Sequence, residues 1–329
     1  MTIAPAALAA ITDKVFAYAP STLSEDASSL DEILPGRLRS IPPAQLQKAL
    51  PCLAKDRATT SEIQRLLQKV KTSHDVNLGD ARTMPLGPES VHLAVTSPPY
   101  WNLKSYPDTI GQLGRLDEYD DFLRNLNMVW ENCFAALVPG GRLVCVVGDV
   151  CLSRQRNGGR HTVVPLHAAI QQQCQQIGFD NLAPIIWHKI SNIQTEVSHR
   201  GTYLGKPYEP NGIIKNDIEF ILMFRKPGGY RRPNPSARIL SLIAAEDHNK
   251  WFRQIWSDIR GASTRRHPAP FPVELAERLI RMFSFVGDTV LDPFTGTAST
   301  QVAAKACGRN SIGFEIEPGY REIAISRLS

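Results

Sequence analysis

From about residue 74 the chain alternates between two hydrophobic rhythms. "VHLAVT" (91–96) is a short β-branched run that predicts a strand. "LDEYDDFLRNLNMVWENCFAAL" is apolar at 122, 123, 126, 129, 130, 133, 134 and 137, the steps of a 3.6-residue period, and predicts an amphipathic helix. "VPGG" stops that helix and "RLVCVVGD" follows as a buried strand. "TVVPLHAAIQQQCQQIGF" predicts a further helix and "IEFILMFRK" a further strand. "TVLDPF", a helix from about Ala298 and "SIGFEI" complete a βαβ unit. Strands alternating with helices predict an α/β fold with a doubly wound, mostly parallel sheet. Residues 1–70 break the rhythm. They are rich in Ser, Ala and Pro and carry short helical patterns such as "TTSEIQRLLQKV", with Thr60 or Ser61 as N-cap. A small N-terminal helical extension is expected there, ahead of a main domain over 71–329.

Composition narrows the class. No window holds the roughly 18 uncharged apolar residues of a membrane span, and no basic stretch precedes the apolar run at the N-terminus, so a secretory leader is not expected. The six cysteines include no C-x-x-C pair and four lie among apolar residues, which predicts reduced thiols and a cytoplasmic protein. The histidines are dispersed, so no metal site is expected. The net charge is only +5, yet residues 225–266 hold ten Lys/Arg against three acids. That local excess exceeds the charge of the whole chain and points to a polyanion partner, the alternative being a solvated basic face.

Two strand ends carry candidate chemistry. "TVLD" runs through "PFTGTAST" into a helix, the strand–turn–helix arrangement in which α/β folds hold nucleotide-like cofactors. Asp292 stands at the strand tip, and Gly296 would let a ligand approach the backbone. Glu315 falls where an acidic residue binds ribose hydroxyls in dinucleotide folds. A single glycine in such a loop also has a purely structural reading. No G-x-x-x-x-G-K-[ST] is present, which argues against an ATPase. The second end is "TSPPYW" (95–101 with the preceding Val). Pro98 and Pro99 lack N–H groups and stiffen the turn, leaving carbonyl acceptors and the Ser97 hydroxyl. Acceptors without competing donors suit a substrate that brings N–H groups, such as an exocyclic amine. Tyr100 would offer a face for a base to stack on, worth about 1–3 kcal/mol.

With these residues in view, the chain resembles the amino-group DNA methyltransferases. "TSPPYW" is similar to their [DNS]-P-P-[YFW] catalytic motif and "LDPFTGTAST" to their S-adenosylmethionine loop. "HPAPFPVELAERLI" (267–280) and "NLGDA" (77–81) resemble two further cofactor motifs. The order, catalytic motif first and cofactor loop last, is the permuted β arrangement of that family. The resemblance spans roughly 74–329 and implies the permuted S-adenosylmethionine-dependent methyltransferase fold. It implies that Ser97 and the Pro98 carbonyl, stiffened by Pro99, accept the hydrogens of the target amine, and that Tyr100 stacks on the base. Asp292, Phe294, Gly296 and Thr297 would line the cofactor, Glu315 would hold its ribose, Asp80 its adenine amine, and Phe271 and Pro272 would lie near its methionine. Ala298 departs from the pattern, standing where the family has a second glycine. The basic segment 225–266 would be the target-recognition region, with Arg231, Arg232, Arg253, Arg265 and Arg266 on DNA phosphates. Arg154 and Arg156 are further phosphate candidates, a solvent-facing loop being the alternative.

The implied activity is transfer of a methyl group from S-adenosylmethionine to a base flipped from double-stranded DNA, as in a restriction–modification system. A cognate restriction endonuclease and a homodimer are compatible partners. Ser before Pro-Pro favours N4 of cytosine, where Asp or Asn is usual for N6 of adenine. An N6-adenine enzyme of the same fold, a methyltransferase acting on RNA or a small molecule, and a catalytically silent DNA-binding module are the alternatives.

Overall fold

The computed structural model describes residues 27–104, 106–189, 216–262 and 271–329. Arg265 and Arg266 lie outside the described residues. The strands are β1 (His74–Leu78), β2 (Val91–Thr96), β3 (Leu137–Val147), β4 (Val150–Leu152), β5 (Thr162–Val164), β6 (Asp180–His188), β7 (Ile218–Arg225), β8 (Ile255–Trp256), β9 (Thr289–Asp292) and β10 (Asn310–Glu315). Eight of them form one sheet in the order β1-β10-β9-β2-β3-β7-β6-β8, and β4 and β5 form a separate ribbon. Every pairing in the large sheet is parallel except those of β7 with β3 and β6. The doubly wound, mostly parallel α/β expectation therefore describes the sheet, with β7 as the reversed strand.

The helices are α1 (Ala27–Ile33), α2 (Gly36–Arg39), α3 (Pro43–Lys55), α4 (Arg57–Leu67), α5 (Tyr119–Ala136), α6 (Leu166–Ile177), α7 (Pro235–Leu240), α8 (Ala245–Trp251), α9 (Val273–Phe283), α10 (Ser299–Ala306) and α11 (Pro318–Leu328). Alternate residues of a strand face opposite sides, and here both sides are covered. Leu143, Cys145 and Val147 of β3 pack with Phe122, Leu126 and Trp130 of α5 and with Ile170 of α6. Val144 and Val146 pack with Leu275 and Leu279 of α9 and Ala303 of α10. Two buried faces explain why the strand reads as an unbroken apolar run rather than an alternation.

The N-terminal helices share a core with the main domain. Leu30, Leu38, Leu46, Ile63 and Leu67 pack with Ala237, Leu240 and Val286. The cap of α4 differs from expectation: Asp56 accepts from the backbone N–H groups of Ala58 and Thr59 (3.1 and 3.3 Å), so the helix starts before Thr60 and Ser61. A carboxylate is an acceptor in either rotamer, and at this position it reaches two otherwise unpaired helix donors.

Candidate active site

β2 and β9 lie side by side in parallel, Leu93 opposite Val290 and Ala94 opposite Leu291. Their carboxyl ends, nearly 200 residues apart in sequence, therefore open on the same crevice, where α/β sheets bind ligands. A hydrogen bond closes the junction. Thr96 Oγ1 donates to Asp292 Oδ1 (2.7 Å), and both residues are fully buried. Asp292 also accepts from the Phe294 N–H (3.1 Å) and from Thr300 Oγ1 (2.6 Å). Burial outweighs these three donors and pushes its carboxyl up to about 6. Asp292 thus joins the end of β2 to the end of β9, and it is not among the residues lining the cleft.

The cleft, about 570 Å³ with the open solvent at its mouth included, has Asp80, Ser97, Pro99, Phe294, Gly296 and Glu315 among its lining residues. Glu315 is 8% exposed. Its Oε2 accepts from the Gly296 N–H (2.7 Å) and its Oε1 from the Glu317 N–H (2.9 Å). Burial pushes the carboxyl up to about 7 in spite of those bonds. Each carboxylate oxygen has two acceptor positions, so both can also receive a ligand hydroxyl. Gly296 reaches this geometry with φ +53°, a left-handed conformation glycine adopts freely. Asp80 caps the short turn after β1 by accepting from the Arg82 N–H (2.9 Å), and its carboxylate is paired with the Arg82 guanidinium. Gly111 closes over that pair: a Cβ there would sit 2.8 Å from Arg82 Nη2 and 3.1 Å from Asp80 Oδ2.

Several predicted residues stand elsewhere. Tyr100 is only 9% exposed and belongs to the core cluster beneath the cleft. Its hydroxyl is 3.3 Å from Ser97 Oγ and 3.2 Å from Glu219 Oε2, and its ring packs near Gly148. In this conformation it supports Ser97 from below and offers no open stacking face. Thr297 is turned toward α11, where Arg327 donates to its carbonyl and hydroxyl oxygens. Phe271 is buried in the opposite core, and Pro272 caps the start of α9; neither lines the cleft. Pro98, between Ser97 and Pro99, is buried. Ala298 holds a left-handed conformation, φ +65° and ψ +38°, at the entry to α10. A glycine at this position would therefore serve backbone conformation, and Ala298 adopts the same geometry at a steric cost.

The basic-face expectation needs correction for Arg231 and Arg232. Because β7 is antiparallel, the chain leaves it at the amino ends of its neighbours, away from Ser97. Arg231 pairs there with Asp288, which precedes β9, and lies over the Phe285 ring. Arg232 follows directly at that end and is exposed. Arg253 sits before β8, four strands from β2 in the sheet order, and donates from Nε to the Asn249 carbonyl (2.7 Å). Arg154 and Arg156 occupy the turn of the β4–β5 ribbon, which follows the carboxyl end of β3 and so stands on the cleft side.

Sequence reasoning missed Tyr106, Gln112, Leu113, Ile316 and Tyr320, which also line the cleft. Ile316 and Tyr320 follow Glu315 closely and could have been inferred from its position. The 106–113 loop carries no periodic signal. Glu219, at the start of β7, was missed as well; it meets Tyr100 and Lys189 below Ser97.

The sheet with one reversed strand and the cleft at the tips of β2 and β9 define a methyltransferase-type α/β fold. A DNA methylase family model matches residues 91–326. The type II methyltransferase M.MjaI of Methanocaldococcus jannaschii is 35% identical over 79% of this chain and 92% of its own length. M.MthZI of Methanothermobacter thermautotrophicus, also a type II methyltransferase, is 32% identical over 79% of this chain and 78% of its own. TTHA0409 of Thermus thermophilus, described as a putative DNA modification methylase and solved with S-adenosyl-L-methionine, is 50% identical; the match covers 78% of this chain and 93% of that one, with a TM-score of 0.63. The PvuII DNA methyltransferase (cytosine-N4-specific) shares the fold at 19% identity and a TM-score of 0.57, over 79% of this chain and 88% of that one. The chain belongs to the N6/N4 DNA methylase family.

Proposed function

We propose that this protein is a type II DNA methyltransferase that uses S-adenosylmethionine to methylate the N4 amine of a cytosine flipped out of duplex DNA. The observation that carries the proposal is the meeting of Ser97 with Gly296 and Glu315 in one cleft, a methyl-acceptor site beside a cofactor site. The residues present fit the cofactor. Glu315 offers a buried carboxylate to ribose hydroxyls. When bound, the cofactor supplies an electrophilic methyl group on a sulfonium.

The chain's own residues act on the amine. Its lone pair is delocalised into the base and is a poor nucleophile. Ser97 Oγ, which lines the cleft, accepts one of its hydrogens, and the backbone carbonyl of the buried Pro98 accepts the other. Neither proline offers a donor that would compete. Accepting both hydrogens favours a pyramidal nitrogen whose lone pair is free to attack. Fixing amine and methyl in line supplies about 7–11 kcal/mol of the barrier through orientation. Cytosine is preferred over adenine because a Ser occupies the position before Pro-Pro. Duplex DNA reaches the cleft past the β4–β5 ribbon, whose basic turn at 154–156 meets phosphates.

The test is transfer of a labelled methyl group from S-adenosylmethionine to duplex DNA, followed by nucleoside analysis. N4-methylcytidine is expected; N6-methyladenosine alone would overturn the choice of base, and no transfer would overturn the activity. Ser97→Ala is expected to lower kcat at least 100-fold, a loss on the scale of about 3 kcal/mol, with cofactor affinity unchanged. Normal turnover would remove Ser97 from its role.

A further inference from the structure

A serine hydroxyl is ambivalent: it accepts hydrogen bonds, yet it also carries a hydrogen that can point at the substrate. An amine in the cleft needs an acceptor, so something must turn the Ser97 hydrogen away. The structure contains a chain of groups suited to this. Lys189 Nζ donates to Glu219 Oε1 (2.7 Å), and the Glu219 side chain is only 12% exposed. The Tyr100 hydroxyl donates to Glu219 Oε2 (3.2 Å), and Ser97 Oγ lies 3.3 Å from the same hydroxyl. Tyr100 has one hydroxyl hydrogen. Its candidate acceptors are the Glu219 carboxylate at 3.2 Å, Ser97 Oγ at 3.3 Å and the Val146 carbonyl at 3.4 Å. The ionised carboxylate is closest and is the strongest acceptor.

We infer that Glu219 is a positioning residue that sets the polarity of the Ser97 hydroxyl through Tyr100. With the phenolic hydrogen committed to Glu219, the Tyr100 oxygen is left to accept, and Ser97 gives its hydrogen to it. The Ser97 lone pairs then face the cleft. Lys189 donates to the other carboxylate oxygen, so both Glu219 oxygens act as acceptors, which fixes the direction of the whole chain. A family member with an aspartate at the Ser97 position would need no such device, because a carboxylate accepts without orientation. The inference rests on the proposed role of Ser97 as the acceptor of an amine hydrogen.

Glu219→Gln tests it, because the amide can present N–H groups to Tyr100 and reverse the direction of bonding. Steady-state methyl transfer to duplex DNA is compared for wild type, Glu219→Gln, Tyr100→Phe and the double variant, with cofactor affinity measured by calorimetry. The expected result is a kcat about 10- to 100-fold lower for Glu219→Gln, with KM for DNA and cofactor affinity within about twofold of wild type. Because Glu219 acts only through the phenol, adding Glu219→Gln to Tyr100→Phe should lower kcat no further. Multiplicative losses, an unchanged kcat in Glu219→Gln, or a loss shared by kcat and cofactor affinity would each overturn the inference. If Glu219→Gln does not fold, Tyr100→Phe and Lys189→Met decide it, and wild-type kcat in both would overturn it. A wild-type protein that transfers no methyl group would refute the proposed function instead, so the two failures are distinguishable.

Discussion

Asp292→Asn tests what the junction of β2 and β9 costs the fold. The carboxylate is fully buried, and among the described residues it forms no ion pair. Its shift from an ordinary 3.8 to about 6 means that the folded state holds the proton more tightly than the unfolded chain. The stability this site contributes is therefore fully present below about pH 4 and is lost as pH rises through about 6. At roughly 1.4 kcal/mol per tenfold change in proton affinity, the rise from 3.8 to about 6 sets an upper bound near 3 kcal/mol. Asparagine removes the charge while keeping the hydrogen bonds. Its Oδ1 would still accept from Thr96 and the Phe294 N–H, and its Nδ2 would donate to Thr300 Oγ1. That hydroxyl can turn its own hydrogen to the Val95 carbonyl, already 3.3 Å away. Asp292→Asn is thus expected to be more stable than wild type by about 1–3 kcal/mol near pH 8, with the difference shrinking toward about pH 5. Urea unfolding across that range, with equal m-values, reads the effect directly. A variant less stable than wild type near pH 8, or a difference that ignores pH, would refute the balance drawn here.

Two further outcomes follow from the geometry. Arg231→Ala should leave the salt dependence of DNA binding unchanged while destabilising the fold by about 1–3 kcal/mol, because it leaves the buried Asp288 carboxylate without its cation; a flatter salt slope in binding titrations would return Arg231 to the DNA surface. At Ala298 the left-handed backbone costs about 1–2 kcal/mol while its buried methyl contributes about 0.8 kcal/mol. Ala298→Gly should therefore stay within about 1 kcal/mol of wild type, whereas the β-branched Ala298→Val should lose more than about 2 kcal/mol in thermal unfolding; equal stability of the three proteins would contradict the strain.

What the sequence discloses and what it hides have physical reasons. Strands buried on both faces announce themselves as apolar runs, so the alternation from residue 74 reads correctly. Ser97, Gly296 and Glu315 are legible because they punctuate strand ends, where prolines, a glycine and an acid stand out. The partner of Asp292 is not legible: Thr96 looks like the last β-branched residue of its strand, and only the adjacency of β2 and β9 reveals its hydroxyl as a donor. Strand direction is equally hidden. "IEFILMFRK" reads the same whether parallel or reversed, and its reversal carries Arg231 to the far end of the sheet. Charge counting along the chain cannot detect that. Glu219 escapes for a related reason, since a lone acid at the start of an apolar strand carries no spacing that points to Tyr100.

The order of strands in the sheet also shapes synthesis. β1 and β2 are close in the chain yet separated in the sheet by β10 and β9, which are synthesised roughly 200 residues after β2. At about 5–20 residues per second, the nascent chain waits roughly 10–40 s between completing β2 and acquiring both missing strands. Throughout that interval the apolar edge at Val91–Val95 has no native neighbour on one side and is open to pairing with another polypeptide. Chaperone demand and inclusion-body formation should therefore respond to translation speed over the stretch between Thr96 and Glu315.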